Sequence, residues 1–306
     1  MLDAICIYDE ASPETYTVFK FQKLNEADIE KYRQSLLCPA CKQKAYFRKA
    51  SKDGRAACFG SRYHHADCKE FKPSKAKARE ELAAIEVNQQ LVDSDALMID
   101  FSRQPLSFQG RKPSIPPNDI DKKASVDPTP KRKQISADND VLLSDTVEVG
   151  ACVKADDLSE VPMSRVATQG LEKLLLSLLR GSELAKSDLW VYTDKKYRWR
   201  AKNLFVNFAD AEPTENGAPR MYWGTLSHSD KKMHWLNPAD CSDLGIPIED
   251  YQEALLTNLN IQDRRDFEGA GIILFGKCFW NKDKTRKIIQ LWSKDLSRLF
   301  IAKLED

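Results

Sequence analysis

Four of the chain's eight cysteines fall within 31 residues, at positions 38, 41, 58 and 68, and His64 and His65 stand just before the last of them. The pattern is Cys38-Pro-Ala-Cys41, then twenty-six residues, then Cys68. A Cys-x2-Cys pair forms a knuckle whose two thiolates converge on a tetrahedral ion at ~2.3 Å without strain. His64-x3-Cys68, or His65-x2-Cys68, offers the complementary pair. The expectation is one structural zinc ion held by Cys38, Cys41, Cys68 and His64, with His65 and Cys58 as other candidates for the fourth place. Strand alternation turns only one of Cys58 and Phe59 inward, and Phe59 is the better core residue. A catalytic zinc would call for a glutamate beside the histidines, and none is there.

The elements needed to position these ligands can be read around them. Ala45-Tyr-Phe-Arg-Lys and Arg55-Ala-Ala-Cys-Phe read as a hairpin turning at Asp53-Gly54, which would bring the two half-sites together. Some thirty residues make too small a core to stand alone, so the metal's binding energy is expected to supply much of the folding. This is also the most basic stretch of a chain whose net charge is only +1: from Cys38 to Arg79 there are twelve Lys or Arg against three acids. Such a local excess suits a polyanionic partner. The residues expected to meet its phosphates are Lys42, Lys44, Arg48, Lys49, Arg55 and Arg62, with the metal as their scaffold.

From Leu37 to Lys69, about a tenth of the chain, this layout of Cys-Pro-x-Cys, basic hairpin, apolar-aromatic strand and His…Cys return resembles the N-terminal zinc-binding segment of competence CoiA-like proteins. Cys38, Cys41 and Cys68 carry across; Cys58 falls where that family often has histidine. Proteins of that kind resemble nucleases beyond the zinc segment. The carboxylate–carboxylate–lysine set of such chemistry is not found in this sequence, where Asp100, Asp194, Asp210 and Glu268 are candidate acids without a pattern.

Outside the cluster little carries chemistry. His228, His234 and Cys241 match no common metal template, Gly269-x-Gly271 opens a strand and not a phosphate-cradling helix, and there is no Gly-x-Ser-x-Gly elbow. The four scattered cysteines read as small buried hydrophobes. The start has neither the basic region nor the apolar length of a signal peptide, and no apolar run reaches the ~20 residues of a membrane span, so the expected location is cytoplasmic, with no membrane partner.

The expected architecture is α+β in three parts. Residues 1–102 form the zinc-bound β-hairpin module with flanking strands and helices, including a helix capped by Asn25 and another from Ser74 to about Gln90. Residues 103–162 read as a disordered linker: half of the chain's fourteen prolines and a single aromatic residue fall there, too little apolar surface to offset the ordering entropy. Residues 163–306 hold all six tryptophans and form a C-terminal α+β domain with an antiparallel sheet, OB-like if it closes. A helix capped by Ser164 and ended at Gly181 opens this domain. Its Leu171, Leu174, Leu175, Leu178 and Leu179 make one apolar face, which either packs in the core or pairs two copies through residues 165–180.

The later strands interleave aromatic and basic residues, as in Tyr197-Arg-Trp-Arg and Lys277-Cys-Phe-Trp-Asn-Lys. Those side chains either pack the core or stack on unpaired bases while the cations follow the phosphates. The first functional expectation is therefore a non-enzymatic zinc protein that binds nucleic acid, DNA before RNA. A metal-dependent nuclease or DNA-processing enzyme of a bacterial mobile element or defence system is the second, and a protein–protein adaptor the third.

Overall fold

A computed structural model of the chain describes residues 1–9, 11–50, 56–65, 67–72, 75–102, 153–154, 165–194 and 196–304. Its first sheet is antiparallel, in the order β2-β1-β3-β4-β5, from β1 (Asp3–Cys6), β2 (Glu14–Thr17), β3 (Leu36–Leu37), β4 (Lys44–Arg48) and β5 (Cys58–Gly60). Two short helices, α1 (Val18–Phe21) and α2 (Glu26–Tyr32), cross between β2 and β3. Asn25 caps α2 as expected, its Oδ1 accepting the Asp28 N–H at 2.8 Å, with Glu26 and Asp28 facing the helix N-terminus. Phe21, Phe47 and Phe59 pack ring to ring, with centroids 4.8 to 5.6 Å apart, over Val18, Ile29 and Leu36. The hairpin β4–β5 thus draws its core from the first 36 residues as well as from its own. The expected turn at Asp53-Gly54 lies outside the described residues.

The second sheet runs β7-β10-β9-β6-β8, from β6 (Ala96–Asp100), β7 (Val153–Lys154), β8 (Val166–Gly170), β9 (Trp190–Asp194) and β10 (Tyr197–Arg200). β6 lies parallel to both β8 and β9. The 19-residue helix α3 (Lys75–Asp93) precedes it and packs on α4 (Leu171–Leu179). Here the expected helix from Ser164 is shortened. Val166–Gly170 is drawn into parallel pairing with β6, and the helix begins only at Leu171, where the leucine periodicity begins. Its end falls at the expected glycine: Gly181 takes φ +82°, and the Gly181 and Ser182 N–H groups return to Leu178 and Ser177. All five leucines are buried, packed with Leu97, Val191, Trp199, Ile273 and Phe275. The leucine face is core within this chain.

The third sheet closes on itself. After the short helix α5 (Ala201–Leu204) come β11 (Phe205–Asn207), β12 (Arg220–Ser229), β13 (Trp235–Pro238), β14 (Leu244–Pro247), helix α6 (Gln252–Asn258), β15 (Gly271–Trp280), β16 (Lys287–Leu291) and β17 (Leu299–Ala302). β12, β13, β14, β16 and β15 follow in order, and β15 pairs back onto β12 to complete a five-stranded barrel. A register shift between Leu226 and His228 lets β12 serve both neighbours, its first half pairing with β15 and its second with β13. The meander β12–β13–β14, with β16 laid parallel to β14, makes this a Greek-key barrel of the OB-like kind. β15 explains its own apolar run. Ile272 and Leu274 fill the barrel, whereas Ile273 and Phe275 face α4 and the second sheet.

Buried ion pairs join these layers. Arg33, fully buried on α2's last turn, donates to Glu268 at 2.9 Å and to the Ser227 and Phe47 carbonyls; the second Glu268 oxygen accepts the Lys49 N–H. Arg62 pairs with Glu80 of α3 and donates to the carbonyls of Gly269 and Ala302. The described residues belong to one compact unit. The stretch expected to be a linker, 103–162, lies outside the described residues except for β7. No described helix is long and apolar enough to cross a membrane.

Candidate metal centre

Cys38 leaves β3 and enters a tight turn: the Lys42 N–H donates to the Cys38 carbonyl, and the Cys38 N–H to the Gln43 carbonyl. Lys42 takes φ +58° to close it, and Cys41 is brought back beside Cys38. The return half-site follows β5. Arg62, anchored to Glu80 and the barrel, delivers His64, and the turn from His65 to Phe71 delivers Cys68. The Arg180 guanidinium, from the end of α4, donates to the His64 carbonyl at 3.0 Å and lies over the Phe71 ring. Lys77 of α3 lies over the same ring. The loop is pinned from both helices.

The ligand atoms of Cys38, Cys41, His64 and Cys68 lie within 4.8 Å of one another, close enough to hold one metal ion. Cys38 Sγ is 3.9 Å from Cys68 Sγ, and His64 Nδ1 is 3.3 Å from Cys41 Sγ and 3.4 Å from Cys68 Sγ. A tetrahedron with metal–sulfur bonds of ~2.3 Å and a metal–nitrogen bond of ~2.0 Å has edges of about 3.8 and 3.5 Å. These three distances are close to the edges of such a tetrahedron. Burial, then the surrounding cations beginning with Lys77, push the His64 imidazole down to about 4, so at neutral pH it is in the uncharged form a metal requires. Burial and the neighbouring sulfurs push the Cys41 thiol up to about 11, a penalty that a divalent cation among the thiolates relieves.

The fourth member of this metal-capable group is thus His64. His65 is exposed, with its Nε2 beside Gln43, and Cys58 stays on β5 opposite Arg48, outside the group. Among the described residues this is the one assembly of three or more metal-capable side chains. His228 instead meets Glu30 at 2.7 Å, His234 meets Glu249, and Glu268 is engaged by Arg33.

The expected phosphate-binding residues divide. Lys42 is exposed, Lys44 and Lys49 are partly so, and Lys49 is near Glu26. Arg48 and Arg62 are turned inward and buried, and Arg62 spends its donors on Glu80 and two carbonyls. Arg55 lies outside the described residues. An arginine counted as surface charge in the sequence is here a strut between the metal segment, α3 and the barrel.

No family model, curated protein or solved structure matches the chain. What the structure supports is a group of four side chains, Cys38, Cys41, His64 and Cys68, that could bind a metal.

One buried acid marks the seam between the metal segment and the barrel. Asp240, in the β13–β14 connection, accepts the Thr225 N–H at 3.0 Å, and Thr225 Oγ1 donates to the Tyr63 hydroxyl at 3.2 Å. Burial raises the Asp240 carboxyl from 3.8 to about 6, against the hydrogen bonds from Thr225 and Tyr63 and the charge of Lys44. The folded chain holds this proton more tightly than the unfolded one. Its contribution to stability therefore falls as pH rises from 3.8 to 6. Asp240→Asn is expected to flatten that part of the stability curve, measured as urea midpoints at pH 4.5, 5.5 and 7; an unchanged curve would show that Asp240 does not titrate there.

Proposed function

We propose that the chain is a non-enzymatic zinc protein that binds single-stranded nucleic acid, with the Cys38–Cys41–His64–Cys68 centre as a scaffold and the barrel as the binding element. One observation carries the reading. Arg286 leaves the hairpin 281–286 and lies across β14, where the missing side chain of Gly245 makes room: a Cβ there would come within 2.6 Å of the guanidinium. The guanidinium donates to the Leu244 carbonyl and the Asn237 side chain, and stacks over the Trp235 ring at 5.4 Å. Barrels of this architecture bind oligonucleotides on the face of the second and third strands and at the flanking hairpin loops. Here that face is β13 and β14.

At the near end of the same hairpin, Trp280 is 40% and Phe279 41% exposed, beside the solvated Lys282 and Lys284. Half-exposed rings next to exposed ammonium groups suit bases and phosphates, since every base has a face to stack and each cation releases a counterion. Lys42 and Lys44, on the metal knuckle and β4, are further cations for the backbone. Two other tryptophans are otherwise employed. Trp199 is buried, and Trp190 lies between Arg198 and Arg200 at 4.0 and 3.9 Å. Of the interleaved aromatic and basic side chains, part is core and part is surface.

The test is fluorescence anisotropy with a labelled single-stranded DNA oligonucleotide, alongside duplex DNA and RNA, over a salt series. Binding is expected to weaken with a slope of about −0.7 per phosphate contacted. Trp280→Ala is expected to cost about 1–3 kcal/mol of affinity, roughly five- to 150-fold. Absence of binding at low salt contradicts the reading. Metal-dependent cleavage of the oligonucleotide would establish an enzyme instead, and partner capture that survives nuclease treatment would establish an adaptor.

A further inference from the structure

On the first sheet, away from the metal and the barrel, a cavity of about 570 Å³ lies between β1, β2 and the end of α2. Its walls include Tyr8, Tyr16, Tyr32, Lys31 and the carboxylates of Asp9 and Glu14. The three rings form one cluster. Tyr8 meets Tyr32 edge to face at 5.5 Å, and Tyr16 stacks on Tyr32 at 6.2 Å. Glu14 orients Tyr16 by accepting its hydroxyl at 2.7 Å. Tyr8 is 53% exposed, so the rings are open to solvent on one side.

A cation already lies on this cluster. The Lys31 ammonium is 4.5 Å from the centroid of Tyr8 and 5.3 Å from that of Tyr32. Among the described residues no carboxylate pairs with it, and the ring faces are what hold it. Electron-rich faces attract ammonium groups, and most strongly those whose alkyl substituents make them cheap to desolvate. A primary ammonium such as that of lysine is the poorest of these, because it gives up three hydrogen bonds to water. An alkylated ammonium gives up fewer or none.

We propose that this tyrosine cavity binds an alkylated ammonium group, and that Lys31 occupies the ring faces until such a group displaces it. Among the described lining residues, two carboxylates face one lysine, a negative balance that favours a cation and works against a nucleotide's phosphates. The group could be carried by a free quaternary amine or by a methylated lysine side chain; the cavity recognises the part they share.

The experiment uses the full chain with ring-¹³C tyrosine and follows the tyrosine signals by NMR during titration with tetramethylammonium chloride, against sodium chloride at equal ionic strength. Choline and a short peptide bearing trimethyllysine form two further arms, and a tighter dissociation constant in either identifies the carrier. Saturable shifts of Tyr8 and Tyr32 are expected. Lys31→Ala should tighten binding about three- to tenfold by removing the resident cation. Tyr8→Leu should weaken it about tenfold, while Tyr8→Phe, which keeps the ring, should bind as the parent does. Tyr8 is at the rim, so these variants are expected to fold, and unchanged thermal unfolding checks that. No saturation, saturation by AMP in place of tetramethylammonium, or indifference to Lys31→Ala would overturn the assignment.

Discussion

Replacing Glu268 by alanine or glutamine is expected to destabilise the chain by about 3–5 kcal/mol, as for a buried charge stripped of its partner. Arg33 has no solvent exposure, and four acceptors surround its guanidinium: Glu268, Glu30 and the carbonyls of Phe47 and Ser227. Without Glu268 the positive charge stays inside with two backbone dipoles and a carboxylate 3.5 Å away, and in the alanine variant the Lys49 N–H loses its acceptor as well. Burial of an unpaired charge outweighs the loss of any one hydrogen bond. The check is a urea midpoint for Glu268→Gln against Arg33→Leu and the double variant. The double variant should be less damaged than the sum of the singles, since it leaves no orphan charge. Equal and additive losses would mean that the pair contributes only packing.

The second large effect concerns the metal. Chelation, or His64→Ala or Cys41→Ser, is expected to release the loop 61–71 and the knuckle 38–43, and to lower the melting temperature by on the order of 10 °C, several kcal/mol for a chain of this size. The sheet itself should survive, in contrast to the expectation that the metal supplies much of the folding. Phe21, Phe47, Phe59, Leu36 and Ile29 make a core that does not pass through the ligands. Backbone hydrogen exchange distinguishes the two outcomes. Protection should be lost in 38–43 and 61–71 and kept in β1, β2 and β4. Loss across the whole first sheet would show that the ion is the fold's main support. Cys58→Ser and His65→Ala, outside the cluster, should change neither metal content nor melting temperature.

Three members of the metal-capable group were legible because they are local chemistry. The Cys-x2-Cys knuckle is specific by spacing, whereas the fourth member stayed open among His64, His65 and Cys58 until the fold brought His64 beside the cysteines. The α+β class, the Asn25 cap, the stop at Gly181 and most barrel strands also followed from short-range pattern. The barrel's closure was less visible because it depends on β14, Leu244-Gly-Ile-Pro, which has no alternation and carries two residues that ordinarily weaken strands. Gly245 is there to let Arg286 across, and nothing nearby in sequence says so. β8 was hidden for a different reason: Val166–Gly170 leads directly into a strong helix, and only parallel pairing with the distant β6 makes it a strand. The burial of Arg62 and Arg48 could not be read either. A basic residue looks solvated until its partner is known, and Glu80 is eighteen residues from Arg62.

The claim on which the rest stands is that Cys38, Cys41, His64 and Cys68 hold one metal ion in a tetrahedron of three sulfurs and one nitrogen. Metal analysis of the purified chain, followed by replacement with cobalt(II), tests it most directly. The account predicts one zinc per chain and, after replacement, the intense visible bands of tetrahedral cobalt with thiolate charge transfer in the near ultraviolet. His64→Ala should alter those bands, and Cys58→Ser and His65→Ala should leave them alone. A chain that binds no zinc, that gives the weak spectrum of six-coordinate cobalt, or whose spectrum changes with Cys58 in place of His64 would contradict it.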